Sequence, residues 1–174
     1  MTAGGKYSRG RIAGVDIAEP MLDIARHRNI HPNVSFAKHD MRSLDIVSES
    51  VDIVTGGYAL RNAPDLETAI DEISRVLKPG GVAAFLDFSK PGGKTLQKME
   101  YWGLKKWTVL WGTILHRNHE VYSYIAERLQ RFPDRPQLRD IFWNKGFSLV
   151  DSRLFFGGVT ELLMVQKLRH PREW

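Results

Sequence analysis

A few short stretches carry residues whose types and spacing could do chemistry. The first is the apolar run Ile12-Ala13-Gly14-Val15, which ends on Asp16 and Ile17 and is followed by Glu19 and Pro20. Pro20 suits the first turn of a helix. An acid at the carboxyl end of a strand, just ahead of a helix, can accept both hydroxyls of a ribose. The same acid can instead serve the positive end of the helix. A second stretch, His39-Asp40-Met41, closes another apolar run. There an acid can accept the amino group of adenine while Met41 packs on the ring; a plain polar loop is the bland account. The third is GGYALRN, Gly56 to Asn62. Paired glycines at a strand end let a ligand approach the backbone, and Arg61 and Asn62 add a cation and an amide at the same mouth. A turn followed by a helix cap explains the same letters. The fourth, RVLKPGG with FLDFSKP beyond it, reads mechanically as a helix stop and a tight turn into a buried strand.

The elements that must position these residues alternate. Arg11–Asp16 is expected as a strand and Glu19–Arg28 as a helix with Met21, Leu22, Ile24 and Ala25 inward. Val34–His39 follows as a strand, and Val51–Thr55 as another that runs into Gly56 and Gly57. Asp65 can cap a helix over Leu66–Leu77, where Leu66, Ala69, Ile70, Ile73, Val76 and Leu77 keep the 3.6-residue beat. KPGG stops it before the strand Val82–Phe88. Strands apolar on both faces and separated by helices predict an α/β fold with a parallel sheet covered on two sides. Further on, helices are expected over Lys94–Leu115, Tyr122–Gln130 and Gln137–Lys145. Phe147–Phe155 and Val159–Lys167, joined around Gly157 and Gly158, read as an antiparallel hairpin.

Composition narrows the classes. A chain of 174 residues with 43% hydrophobic content can bury one good core, so a single domain over 1–174 is expected, with 168–174 as a solvated basic tail that includes Arg169 and Arg172, and Lys167 solvated beside it. The absence of cysteine excludes disulfides, thiolate catalysis and cysteine-bound zinc. His116 and His119 stand three apart but lack a further ligand, so no metal is expected. No run reaches the length of a membrane span and no signal-peptide core opens the chain, so a cytoplasmic protein is expected. A net charge of +5 permits contact with an anionic surface, but no motif points to nucleic acid.

Taken in order, GVDIAEPMLDIAR, GGYALRNAPDLETAIDEISRVLKPGGVAAFLDFSKP and YSYIAERLQRFPDRPQLRDIFWNKGF closely resemble the ubiquinone/menaquinone-biosynthesis C-methyltransferase family, class I enzymes that use S-adenosylmethionine. LKPGG is common to many such enzymes; LRN, FSKP and RFPD point to this family. The resemblance, from about Arg11 to Lys167, implies a Rossmann-like sheet of seven strands, six parallel and the last antiparallel. It implies Asp16 as the ribose acid, Ile17 over adenine, Asp40 and Met41 at the adenine edge, and the segment from Gly56 and Gly57 to Leu60 along the methionine and methyl path. Arg61 and Asn62 would face the acceptor, a polyprenylated quinol methylated on a ring carbon. Arg61 would stabilise a phenolate or orient a water, because a guanidinium stays protonated and is no base. Tyr58 and Asp87 are further candidates.

Family members open with a strand, a glycine loop and a helix, and no G-x-G-x-x-G spacing stands here. Residues 1–10 read as the end of that first helix and its turn, so the sheet is expected to be N-terminally incomplete and cofactor binding weakened. Two apolar strands would then expose open edges, which predicts a homodimer, by strand exchange or edge pairing. An inactive methyltransferase-fold accessory protein, partner to a complete enzyme, is the alternative function. A nicotinamide-dependent oxidoreductase would also use Asp16, but LKPGG and the terminal hairpin count against it. Within Lys94–Leu115, Lys98, Trp102, Lys105 and Lys106 share a face that could rest on a membrane surface, or form the solvated side of a lid helix.

Overall fold

The computed structural model describes residues 10–91 and 132–169. The helices expected over Lys94–Leu115 and Tyr122–Gln130, with His116 and His119, lie outside the described residues. Two compact units divide the chain, Met1–Ile46 and Val47–Trp174.

In the first unit, β1 (Ile12–Asp16) and β2 (Val34–Lys38) pair in parallel, from Ile12 opposite Val34 to Asp16 opposite Lys38. Between them runs α1 (Glu19–Arg28), with Pro20 in its first turn and Arg26 bridging Glu19 at 2.6 Å and Asp23 at 2.8 Å. Parallel strands need such a crossover. The inward face of α1 is narrower than the sequence suggests. Leu22 is buried, whereas Met21 and Ile24 are exposed. A two-stranded ladder is too narrow to cover a whole helical stripe.

The second unit holds β3 (Val51–Gly57), a single helical turn at Leu60–Asn62, α2 (Leu66–Val76), β4 (Leu77–Phe88), α3 (Arg135–Asn144), β5 (Phe147–Phe155) and β6 (Thr160–Lys167). Its sheet order is β3-β4-β6-β5; β3 and β4 are parallel, and β6 runs antiparallel to both its neighbours. The hairpin expected at the end of the chain is therefore present, closed through Phe156–Gly158. Asp65 caps α2 by accepting the Thr68 N–H at 3.2 Å, and Ala69, Ile70, Ile73 and Val76 are buried as their spacing demands. At α3, Asp134 and Gln137 form a reciprocal capping box, so this helix begins two residues earlier than expected.

Lys78-Pro79-Gly80-Gly81 does more than stop a helix. Val51 pairs with Leu77, but Ile53 pairs with Val82, so the turn is a bulge inside a continuous strand. Gly80 has φ 83°, and a Cβ on Gly81 would stand 2.9 Å from the Lys78 carbonyl oxygen and 3.1 Å from that of Asp52.

One core joins Ile70 and Ile73 of α2, Leu138 and Phe142 of α3, and Ala83, Phe85, Leu163 and Val165 of the sheet. Phe142 stacks on Phe85 at 6.0 Å and meets Phe147 edge-on at 5.5 Å. Each such side chain contributes about 1.5–3 kcal/mol by leaving water. Both helices pack on the same sheet face; on the other, Ile53 and Leu86 are exposed and Val82, Ala84, Leu162 and Met164 are half-buried. Lys167, expected to be solvated, instead caps the carboxyl end of α2. Its ammonium donates to the carbonyls of Ser74 at 2.8 Å and Leu77 at 2.9 Å and pairs with Glu49 at 3.2 Å. A helix end offers unsatisfied carbonyls and negative partial charge, which a flexible cation meets.

Candidate functional site

In a parallel pair both carboxyl ends open on one edge, and in the first unit that edge carries Asp16 and Asp40. The His39 N–H donates to the Asp16 carbonyl at 3.1 Å, joining the two strand ends. Asp16 Oδ1 accepts the Ala18 N–H at 2.9 Å, so the carboxylate shapes the turn into α1, although Ala18 and not Asp16 is the cap residue. Its other oxygen has no hydrogen-bond partner among the described residues. Ile17 beside it is 63% exposed, an open apolar surface next to an acceptor. Asp40 is engaged by its own loop: Arg42 donates through Nε at 3.0 Å and Nη2 at 2.6 Å, and through its backbone N–H at 2.9 Å. These bonds hold the Asp40 carboxyl down at about 2. A further donor must share oxygens with Arg42, which carboxylate lone pairs permit. Met41 is half-buried at the same loop.

In the second unit the carboxyl ends of β3 and β4 and the amino end of β6 share one edge. Gly56 and Gly57 differ there. A Cβ on Gly56 would lie 2.9 Å from the Phe85 ring and 3.1 Å from Ala59 Cβ, whereas one on Gly57 would meet nothing within 4 Å. Gly56 is therefore a packing residue, and only Gly57 presents open backbone. Gly56→Ala is expected to cost about 1–3 kcal/mol of stability by overpacking. Gly57→Ala should leave the melting temperature nearly unchanged and weaken S-adenosylmethionine binding in a calorimetric titration. Equal melting temperatures for the two variants would contradict this contrast.

Past Gly57 the chain turns sharply. Tyr58 has φ 54°, a left-handed conformation costing roughly 1–2 kcal/mol for a side-chain-bearing residue. Its N–H donates to the Leu86 carbonyl at 2.7 Å, and the Asn62 side-chain amide donates to its carbonyl at 2.8 Å. Asn62 thus fastens the turn. Strain held in place at a strand end is a mark of functional sites.

The turn delivers Arg61 against two adjoining rings, its guanidinium carbon 4.9 Å from the Tyr58 centroid and 4.4 Å from that of Phe88, with the two centroids 5.5 Å apart. Behind it lies Asp87, buried, with Oδ1 at 3.7 Å from Arg61 Nε. Asp87 accepts the Arg61 backbone N–H at 3.2 Å and that of Phe88 at 2.8 Å. The guanidinium itself makes no hydrogen bond among the described residues, and Nε is buried without a partner. With both rings on one side and Nε turned toward Asp87, the two terminal nitrogens remain available as donors.

Burial pushes the Asp87 carboxyl above its ordinary value, against the backbone donors of Phe88 and Arg61 and the charge of Arg61. The folded chain then holds a proton that the unfolded chain has released. This contribution is fully present below about pH 4 and is lost as pH rises through the folded value. Asp87→Asn is expected to flatten that decline in urea-unfolding free energy between pH 4 and 7, relative to the parent. Parallel profiles would assign the slope elsewhere.

Directly across the β4–β6 ladder from Asp87 stands a second buried acid, Glu161. Ser152 donates to its Oε1 at 2.6 Å, Arg139 to Oε1 at 3.1 Å and Ser89 to Oε2 at 3.0 Å. Arg135 donates to Ser89 Oγ at 2.5 Å and to the Gly158 carbonyl at 2.6 Å. Sequence reasoning missed this group. Its only signals were an acid opening an otherwise apolar strand and the arginines after the RFPD stretch.

LRN, FSKP and the described part of RFPD meet at this edge. The Arg135 N–H donates to the Lys90 carbonyl at 3.0 Å, and a pocket of about 290 Å³ lies between Ala63, Pro64, Leu66, Phe132 and Pro133, with Arg61 at its wall.

The strand order, the reversed β6 between β4 and β5, and acids at strand ends define a class I methyltransferase fold. Solved structures agree on the fold: a SAM-dependent methyltransferase from Methanosarcina mazei has a TM-score of 0.64 at 16% identity, covering 95% of this chain and 86% of that one. The [4+2]-cyclase SpnF has a TM-score of 0.63 at 16% identity, over 91% of this chain and 66% of its own. The profile of the ubiE/COQ5 methyltransferase family matches residues 3–167, and the chain belongs to that family. It is 34% identical over 161 residues to the 2-phytyl-1,4-naphtoquinone methyltransferase of Thermosynechococcus vestitus, covering 91% of this chain and 71% of that protein. It is 31% identical over 156 residues to the demethylmenaquinone methyltransferase of Staphylococcus haemolyticus, covering 89% of this chain. The chain spans 65% of that relative's length.

Proposed function

We propose that this protein transfers the methyl group of S-adenosylmethionine to a ring carbon of a quinol acceptor. The observation that carries the reading is Arg61: a guanidinium held against two adjoining rings, backed by a buried acid, and making no hydrogen bond among the described residues. Family membership and the two quinone-type relatives support the same acceptor class. Fold alone would not, since the same architecture serves a cyclase.

The residues present suit the cofactor. In the first unit Asp16, with an unused oxygen, would take the ribose hydroxyls, exposed Ile17 would lie on adenine, and Asp40 and Met41 would serve the adenine edge. The second unit by itself offers the open backbone of Gly57 to a ligand. S-adenosylmethionine, when bound, supplies an electrophilic methyl group. The chain's own part is to raise the electron density of the accepting carbon and to align it. Arg61 stabilises the ionised quinol oxygen by charge-assisted hydrogen bonds. Asp87 holds the turn beneath that cation by accepting the Arg61 backbone N–H, while Tyr58 and Phe88 support the guanidinium.

Label transfer tests the reading. The chain is incubated with S-adenosyl-[methyl-³H]methionine and a short-chain demethylated naphthoquinol under reducing conditions. Tritium in the extracted quinone is expected; none, where the cofactor demonstrably binds, overturns it.

The partner reading remains self-association. Among the described residues β1 pairs only with β2 and β3 only with β4, and Ile53 on β3 is 62% exposed. Open apolar edges template pairing with another chain. Light scattering at low micromolar concentration should give the mass of a dimer. The mass of one chain, with unfolding independent of concentration, would rule this out. No helix among the described residues is long and apolar enough to cross a membrane.

A further inference from the structure

We infer that the pocket beside Arg61 seats a planar aromatic anion, with Ala63 and Phe132 as the walls that decide which ring enters. In naming that ring as the methyl acceptor, the inference rests on the function proposed above; as a binding site it does not.

The lining is chemically one-sided. Ala63, Pro64 and Leu66, just after the Arg61 turn, form one wall, and Phe132 and Pro133 another. Arg61 is the single charged side chain, and no acid stands, among the described lining residues. Apolar side chains gathered around one cation select a flat body bearing one negative edge. The cation is ready for it. Tyr58 and Phe88 support the guanidinium from one side, Asp87 stands behind at Nε, and no side-chain hydrogen bond among the described residues must be broken first. A preorganised donor costs no reorganisation when the anion arrives.

Size limits the occupant. At about 290 Å³ the pocket lies at the small end of ligand sites, which run to about 300–1,000 Å³, so it suits a ring and not a long apolar chain. The walls are stiff. Phe132 is 5% exposed and belongs to the core cluster, and the prolines restrict the backbone on both sides. Ala63 is the small residue among bulky ones, so its side chain sets the free width.

The test uses the full 174-residue chain and 1-hydroxy-2-naphthoate, a fluorescent, redox-inert two-ring anion, with 2-naphthalenemethanol as its neutral counterpart. Saturable binding of the anion is expected, about tenfold tighter than the neutral ring. Arg61→Gln should abolish that preference while still admitting the neutral ring. Ala63→Trp should weaken both probes about tenfold or more, at a melting temperature near the parent's; Ala63→Leu, a smaller intrusion, serves if the tryptophan variant does not fold. No binding by the parent, or parent-like binding by the Ala63 variants, overturns the inference. The two readings fail separately. Binding as expected without label transfer sinks the methyltransferase reading and leaves the site; label transfer unaffected by Ala63→Trp sinks the site and leaves the activity.

Discussion

Replacing Arg61 by alanine is expected to lower the rate of methyl transfer about 10²- to 10³-fold, the usual loss for one preorganised donor to a developing oxyanion. Affinity for S-adenosylmethionine should change by less than about threefold, or roughly 0.7 kcal/mol. The asymmetry follows from where the side chain is held. Its charge is fixed against Tyr58 and Phe88, beside Asp87, at the pocket wall. The proposed cofactor contacts Asp16 and Ile17 belong to a separate strand end. Arg61→Lys should rescue little, because an ammonium keeps the charge but not the planar fork that rests against the two rings. Initial rates together with calorimetric titration provide the check. Equal losses of rate and cofactor affinity would move Arg61 to the cofactor side or to a structural role.

The second large effect concerns stability. Glu161→Ala is expected to lower unfolding free energy by about 3 kcal/mol, because removing one partner of a buried ionic group strands the others. Arg135 and Arg139 both converge on this carboxylate, at 3.9 and 3.1 Å, and Ser89 and Ser152 lose their acceptor with it. For a chain of this size that corresponds to roughly 10 °C in melting temperature. Glu161→Gln keeps the shape and some of the hydrogen bonds and should lose less than half as much. Urea unfolding of both variants decides it; a loss below 1 kcal/mol for Glu161→Ala would mean that solvent, not Glu161, compensates these arginines. The group ties α3 to the carboxyl edge of β4 through Ser89, so the loosening should also be felt at Phe88, one of the two rings that support Arg61.

Much of the fold was legible because the deciding forces are local. The beat of Ala69, Ile70, Ile73 and Val76, the cap at Asp65, and the glycines closing the terminal hairpin each act within a few residues. LRN, FSKP and RFPD were recognisable as motifs for the same reason. What local pattern cannot reveal is which apolar residue finds a partner. Met21 and Ile24 have the right spacing for burial, yet only tertiary contact can cover them, and the narrow β1–β2 ladder leaves them exposed. Lys167 read as a solvated charge because nothing near it in sequence accepts a hydrogen bond; its acceptors lie on α2, roughly ninety residues away.

The site divides along the same line. By itself the sequence determined that Asp16 and Asp40 end strands, that Gly57, Tyr58, Arg61 and Asn62 share one turn, and that the chain carries its family's motifs. These are properties of neighbours in the chain. The tertiary structure alone decided that Asp40 is already held by Arg42 in its own loop, that Gly56 is consumed by Phe85, and that Arg61 rests against Tyr58 and Phe88 beside Asp87. It alone set Asp87 against Glu161 across a ladder that joins residues 74 positions apart. Charge and hydrogen bonding act through space, in a dielectric set by burial. A cation becomes an anion receptor only when packing removes its other partners, and packing is a property of the folded chain.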